Sequence, residues 1–216
     1  MENFENVQDP LKTLDEICSP DPRQKNFSGS LSDRHQILNE INLHQGVPVD
    51  VRQSFETAKN LCLYTWFVYR FHQVSELQAY VTLEMALRTK FTSQYPHEKV
   101  PTLAKLLKTA EEDRWINNER FPSLMSRARR NAWDKKNMAL ALEHDFDSCP
   151  ELVCQEPTEI EVAEALADLD IVQGITSTAN KLRNNLAHGS TTLHPNSMST
   201  LKIVSEVINQ LFENPA

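Results

Sequence analysis

The sequence predicts an all-α protein. Four glycines stand against eleven prolines, and the prolines fall mostly between periodic segments, the profile of long helices separated by proline-marked joints. Apolar residues recur at steps of three and four, whereas strand-type alternation nowhere runs to a convincing length. With 216 residues, 40% of them hydrophobic, the chain can bury one sizeable core or two small ones. One domain with appendages is the expected organisation.

Residues 1–47 read as an N-terminal extension packing on the main bundle. Within it FENVQDPLKTLDEI, from Phe4, is expected as a short helix, SPDPRQKNFSGS as a loop, and SDRHQILNEINLHQ as a helix opening on a capping Ser32 or Asp33. Residues 48–216 read as one helical domain. Its first helices are expected over Val49–Phe71 and Val74–Phe91, the second carrying Leu77, Tyr80, Val81, Glu84, Met85 and Arg88 at helical spacing. A third starts after Pro101, with Leu103, Leu106, Leu107 and Ala110 on one face. Proline in a first turn suits a helix start.

Beyond this third helix, charge is segregated. The stretch RFPSLMSRARRNAWDKK, Arg120 to Lys136, holds six basic residues against one acidic, with Trp133 among them. No lysine or arginine occurs from Asn137 to Asn180, while ten acidic residues lie between Glu143 and Asp170. A basic helix and an acidic insertion are therefore expected at about 120–157, with HDFDSCPELVCQEP as a loop. This asymmetry bears more on partners than the net charge of −8 does. Leu166, Leu169, Val172, Ile175, Ala179, Leu182 and Leu186 then form one apolar stripe, softened in its middle by Gly174. After HPNS, Leu201, Val204, Ile208 and Leu211 predict a closing helix.

Several function classes recede on composition. The longest apolar run, LCLYTWFVYRF, is interrupted by Arg70 and is about half the roughly 20 residues a membrane-spanning helix needs. No membrane partner is expected. The acidic, polar MENFENVQDP does not look like a signal peptide, so a cytoplasmic location is expected. Cys18, Cys62, Cys149 and Cys154 include no C-x-x-C pair, and neither a zinc site nor any other cofactor is expected.

The apolar stripe ends in KLRNNLAHGS, Lys181 to Ser190. A structural reading covers part of it: glycine suits the left-handed position past a helix end, and a histidine in the last turn complements the helix dipole. That reading leaves Arg183, Asn184 and Asn185 unexplained, and asparagines are poor helix formers. The chemistry on offer is specific. Histidine can accept and return a proton near neutrality, arginine can hold a phosphate with two hydrogen bonds and stabilise charge building on it, and asparagine can orient either. These are parts for a metal-independent phosphodiester transfer. On RNA the substrate's own 2′-hydroxyl would serve as nucleophile, so DNA would be refused.

Arg183, Asn184 and His188 in RNNLAH resemble the R-x4-6-H motif of the HEPN superfamily, in which a polar residue follows the arginine, and Gly189 fits the same pattern. The order of two long helices, one bearing LEMALR at Leu83–Arg88, then TLAKLLKTA, the motif helix and a closing helix extends the resemblance over roughly Pro48 to Asn214. The resemblance implies a helical bundle and a metal-independent endoribonuclease of the toxin or phage-defence kind. It also implies a homodimer in which two motif copies share a cleft, and an antitoxin or other protein partner. Arg183 would stabilise the phosphate, His188 act as general acid or base, and Asn184 orient the histidine or the RNA. Other members are non-catalytic modules that bind a protein or nucleotide.

RNA binding would draw on Arg127, Arg129, Arg130, Lys135 and Lys136, with Trp133 for stacking. The alternative for this patch is a solvated helix face pairing with the acidic insertion. Glu111, Glu112 and Asp113 read as a solvated face, His144, Asp145 and Asp147 as a loose tract lacking further metal ligands, and His194 as part of a turn. Glu84 and Arg88 can pair with each other or face the motif. In a straight helix Arg183 and His188 lie about 140° apart. Their convergence needs a frayed end at His188, a long reach by the arginine, or a second subunit.

Overall fold

The computed structural model describes residues 9–26, 29–145, 151–188 and 194–213. Among them the chain forms eight α-helices and no strand: α1 Leu31–Glu40, α2 Val49–Tyr64, α3 Phe71–Gln94, α4 Leu103–Glu112, α5 Leu124–Glu143, α6 Glu159–Ala167, α7 Ile171–Ala187 and α8 Ser197–Phe212. The protein is all-α, as its periodicity predicts. Gly189, Asp147 and Cys149, and the side chain of Leu182, lie outside the described residues.

The apolar stripes meet around α3, which packs against α2, α4, α7 and α8. Ala79, Leu83, Ala86 and Leu87 of α3 face Phe55 and Ala58 of α2, Leu106 and Leu107 of α4, and Leu201, Val204 and Ile208 of α8 in a single core. Full burial of each leucine or isoleucine there stabilises the fold by about 1.5–3 kcal/mol. Small residues Ala79 and Ala86 allow close helix approach, so a helix of modest amphipathicity can sit at the centre with neighbours on several sides.

Four local differences from the sequence expectations have physical causes. α2 stops at Tyr64, because Thr65 turns its hydroxyl onto the Cys62 carbonyl at 2.7 Å and the chain tightens through the next residues. That turn is received by the N-terminal segment: the Asp21 amide donates to the Trp66 carbonyl, Gln24 donates to the Thr65 carbonyl, and Arg23 stacks over the Tyr69 ring. Residues 9–17 of the expected first helix form no helix. Leu11 and Leu14 are exposed there, and a short segment with no face to bury does not hold a helix. α1 is capped by Ser30, two residues earlier than expected, with Asp33 completing a reciprocal capping box.

The fourth difference lies in the long C-terminal stripe, which is two helices. Asp170 ends the continuity by accepting from the Gln173 amide at 2.8 Å as the N-cap of α7. Asn118 reinforces it, its side-chain oxygen accepting from the Ile171 and Val172 amides and its nitrogen donating to Asp170. These two side chains satisfy three of the amides that a helix start leaves open.

α5 and α6 form a hairpin with a small separate cluster of Ala128, Ala132 and Val162, joined by Ala165 and Leu166. Asn137 latches the returning chain, its amide nitrogen donating to the Gln155 carbonyl and its oxygen accepting from the Gln155 amide. Ion pairs Arg129–Glu159 and Lys136–Glu161, both at 3.0 Å, tie the two helices together. No helix among the described residues is long and apolar enough to cross a membrane.

Candidate functional site

α7 lies along α3 and α4 by burying Ile171, Val172, Ile175 and Ala179. That packing delivers Arg183 to α3. Its Nη2 donates to Glu84 Oε2 at 3.1 Å and its Nη1 to Asn184 Oδ1 at 3.1 Å. The other oxygen of Glu84 accepts from Arg88 Nε and Nη2 at 3.1 and 2.8 Å. The two readings of Glu84 therefore combine: it pairs with Arg88 and faces the motif. Its carboxylate side chain is 14% exposed, those of Arg183 and Arg88 37% and 45%. Two guanidinium groups against one carboxylate leave a formal charge of +1, and both arginines keep open surface.

His188 is placed differently. It is the C-cap of α7, and its backbone amide still bonds the Asn184 carbonyl at 2.9 Å. The helix therefore stays regular up to His188, and the angular separation from Arg183 persists. Its side chain is exposed, and among the described residues no hydrogen bond joins it to Arg183 or Asn184. One chain thus brings Arg183, Asn184, Glu84 and Arg88 together, with His188 presented to solvent from another side of the same helix end.

The basic residues of α5 divide among three environments. Arg129 and Lys136 pair with α6 carboxylates, and Lys135 lines a cavity between α5 and α6. Arg127 and Arg130 line a cleft against α7 and α8, while Arg130 also approaches Asp134 at 3.9 Å on the exposed face. Trp133 is partly buried. Pairing across the hairpin thus takes up two of the six residues considered for RNA contact. Glu112 pairs with Lys108 and Asp113 accepts from the Tyr95 hydroxyl, so that carboxylate run sits in surface contacts.

A second cluster was not apparent from spacing. His72, Ser197 and Cys62 meet between α2, α3 and α8: His72 Nδ1 is 2.7 Å from Ser197 Oγ, which is 3.1 Å from Cys62 Sγ. A serine beside a histidine invites a nucleophilic reading. Yet Ser197 is fully buried and His72 is 4% exposed, with Cys62 equally enclosed. Burial, with Arg34 nearby, pulls His72 down to about 4, and burial pushes the Cys62 thiol up. Neutral groups hydrogen-bonded inside the core describe this cluster, and it fixes the first turn of α8. The one sequence signal for it is polarity at positions that helical spacing assigns to the core.

No protein-family model, curated protein or solved structure matches this chain.

Proposed function

We propose that the protein is a metal-independent endoribonuclease of the HEPN type, acting as a homodimer. The observation that carries this reading is the cationic group on α3 and α7: Arg183, fixed by Asn184 and Glu84, shares its carboxylate partner with Arg88 and retains exposed surface. A partly buried, positioned guanidinium with surplus positive charge suits an anionic phosphate. The exposed His188 supplies the proton-transfer group. The 2′-hydroxyl of RNA attacks the neighbouring phosphorus, the bond to the 5′-oxygen breaks, and the histidine manages the proton exchange. The products carry a 2′,3′-cyclic phosphate and a 5′-hydroxyl. Because Arg183 and His188 diverge within one chain, the working site pairs the arginine of one copy with the histidine of the other. A defence or toxin role, with an antitoxin-like partner, belongs to this reading.

The test is cleavage of mixed RNA by the purified protein in the presence of chelator. Cutting to cyclic-phosphate ends is expected, with Arg183→Ala and His188→Ala each slowing it at least about a hundredfold. A His188→Ala protein that cuts like its parent would falsify the assignment. One observation favours a second reading, a non-catalytic binding module: Glu84 already occupies Arg183. Under it, cleavage is absent from the parent protein, and Arg183→Ala affects stability alone.

A further inference from the structure

A cleft of about 790 Å³ runs between α5 on one side and α7 and α8 on the other. Its volume lies within the range of small-molecule sites. Its apolar floor is presented by Ile175 of α7 and Ile203 of α8, with the buried Leu83, Ile171 and Val207 beneath it. Its cations are Arg127 and Arg130 from α5 and Lys202 from α8. No carboxylate lines it among the described residues, although the chain carries 30 acidic residues against 22 basic ones. Hydroxyl and amide groups of Ser126, Asn131, Thr178 and Ser199 complete the walls.

Arg127 is built into this cleft from behind. The buried Glu206, 9% exposed, accepts from the Ser123 hydroxyl at 2.6 Å, and Ser123 Oγ accepts from Arg127 Nε at 2.9 Å. This chain holds the guanidinium by one edge. Its two terminal nitrogens have no hydrogen-bond partner among the described residues, which leaves the fork available for an anion. Lys202, exposed on α8, makes no ion pair among them either. Asp134 lies 3.9 Å from Arg130, and both side chains of that pair are largely exposed.

We propose that this cleft binds a nucleoside phosphate. The base lies on the Ile175–Ile203 floor, the phosphate is held by Arg127, Arg130 and Lys202, and the sugar meets the hydroxyl-lined wall. An inorganic anion has no use for the apolar floor, and an apolar acid leaves the hydroxyl and amide wall unmatched. Their combination fits a ligand with a flat ring, a polar middle and a negative end. A free mononucleotide and one unit of a single-stranded RNA share this chemistry. The proposal does not rest on cleavage: it concerns where a nucleotide sits, and it holds whether or not the α7 motif cuts.

Calorimetric titration of the full chain with adenosine monophosphate, adenosine, inorganic phosphate and a short oligoadenylate tests it. Adenosine monophosphate saturates, and adenosine and phosphate alone bind at least about tenfold more weakly, because each loses half the contacts. Lys202→Gln and Arg127→Gln each weaken the mononucleotide by about tenfold. Lys202 is exposed, so its variant keeps the fold, and circular dichroism verifies this for both. An oligoadenylate that competes with the mononucleotide assigns the cleft to RNA, and a mononucleotide it does not displace assigns the cleft to a free ligand. The proposal is overturned if neither saturates at millimolar concentration. It is equally overturned if phosphate alone binds as tightly, or if both variants bind like the parent. Mononucleotide binding retained by a protein that cuts no RNA separates failure of the ribonuclease reading from failure of this one.

Discussion

Glu84 serves two arginines from one carboxylate, and its removal takes the ion-pair partner from Arg88 and leaves Arg183 with Asn184. Glu84→Ala is expected to destabilise the fold by about 1 kcal/mol, modest because the guanidinium groups are partly exposed and water replaces the lost partner. Urea denaturation measures this. If the ribonuclease reading holds, cleavage falls further than stability does, since Arg183 loses its fixed position. The sequence shows Glu84 and Arg88 as neighbours on one helix face and RNNLAH as a motif. It does not show that residues 99 positions apart meet, because that depends on how α7 lies on α3. The same limit hid Ser197, whose partners His72 and Cys62 come from two other helices.

One buried and one half-buried titrating group, His72 and Glu76, give the protein a pH signature with two opposing parts. His72 sits at about 4 in the folded protein against an ordinary 6.5, so on acidification the unfolded chain takes up its proton first. Its contribution is present above about pH 6.5 and is lost as pH falls towards 4. Glu76 has the reverse sign. Burial raises its carboxyl from 4.5 to about 7, so its contribution is present below about pH 4.5 and is lost as pH rises through 7. Glu76→Gln removes the second effect. Its urea midpoint at pH 7 is expected to exceed the parent's, and to fall more steeply between pH 6.5 and 4. Midpoints for both proteins across that range decide the matter, and a parallel course would refute the assignment of the two slopes.

At the level of elements, the start of α7 depends on two side chains from different parts of the chain. Asp170→Ala removes the N-cap and is expected to cost about 1–2 kcal/mol, with Asp170→Ser recovering most of it. Asn118→Ala should cost a similar amount, as it exposes two amides at once. Gly174 points the other way. It is exposed in the second turn of α7, and an added Cβ would meet nothing within 4 Å. Gly174→Ala should therefore stabilise the protein by about 1 kcal/mol, read as a higher thermal midpoint. The helix is regular through this glycine, so the softening expected from its sequence position is not visible.

The same region shows how far periodicity reaches. Leu166, Leu169 and Val172 keep helical spacing across the α6–α7 break, so the stripe alone conceals it. Asp168 and Asp170 were the only local signs of a boundary. Elsewhere the stripes of α3, α4 and α8 were legible because one apolar face met one core. The ends of α2 and α1 were less so, since a turn received by Asp21 and Gln24 and a cap from Ser30 are settled by hydrogen bonds rather than by hydrophobic spacing.

For the whole molecule, the divergence of Arg183 and His188 makes a sharp demand of the proposed dimer. If the site is composite, a chain lacking Arg183 and one lacking His188 are each inactive, yet mixing them restores one intact site in every mixed dimer. Equal mixing with subunit exchange should recover about a quarter of the parental rate. A site complete within one chain gives no recovery, and the comparison needs only the two variants and their mixture.

The hairpin of α5 and α6 carries a last consequence. Its private cluster among the described residues consists of two alanines and a valine with part-buried neighbours, reinforced by ion pairs and by Asn137. Little apolar area is hidden there compared with the leucine-rich contacts of α3 and α8, so its local opening costs less than global unfolding. Amide hydrogens of α5 and α6 should exchange before those of α3 and α8, and added salt should hasten them by screening the pairs. Because α5 is also one wall of the cationic cleft, faster exchange in α5 than in α8 is the expected sign that this wall loosens while the core stays shut.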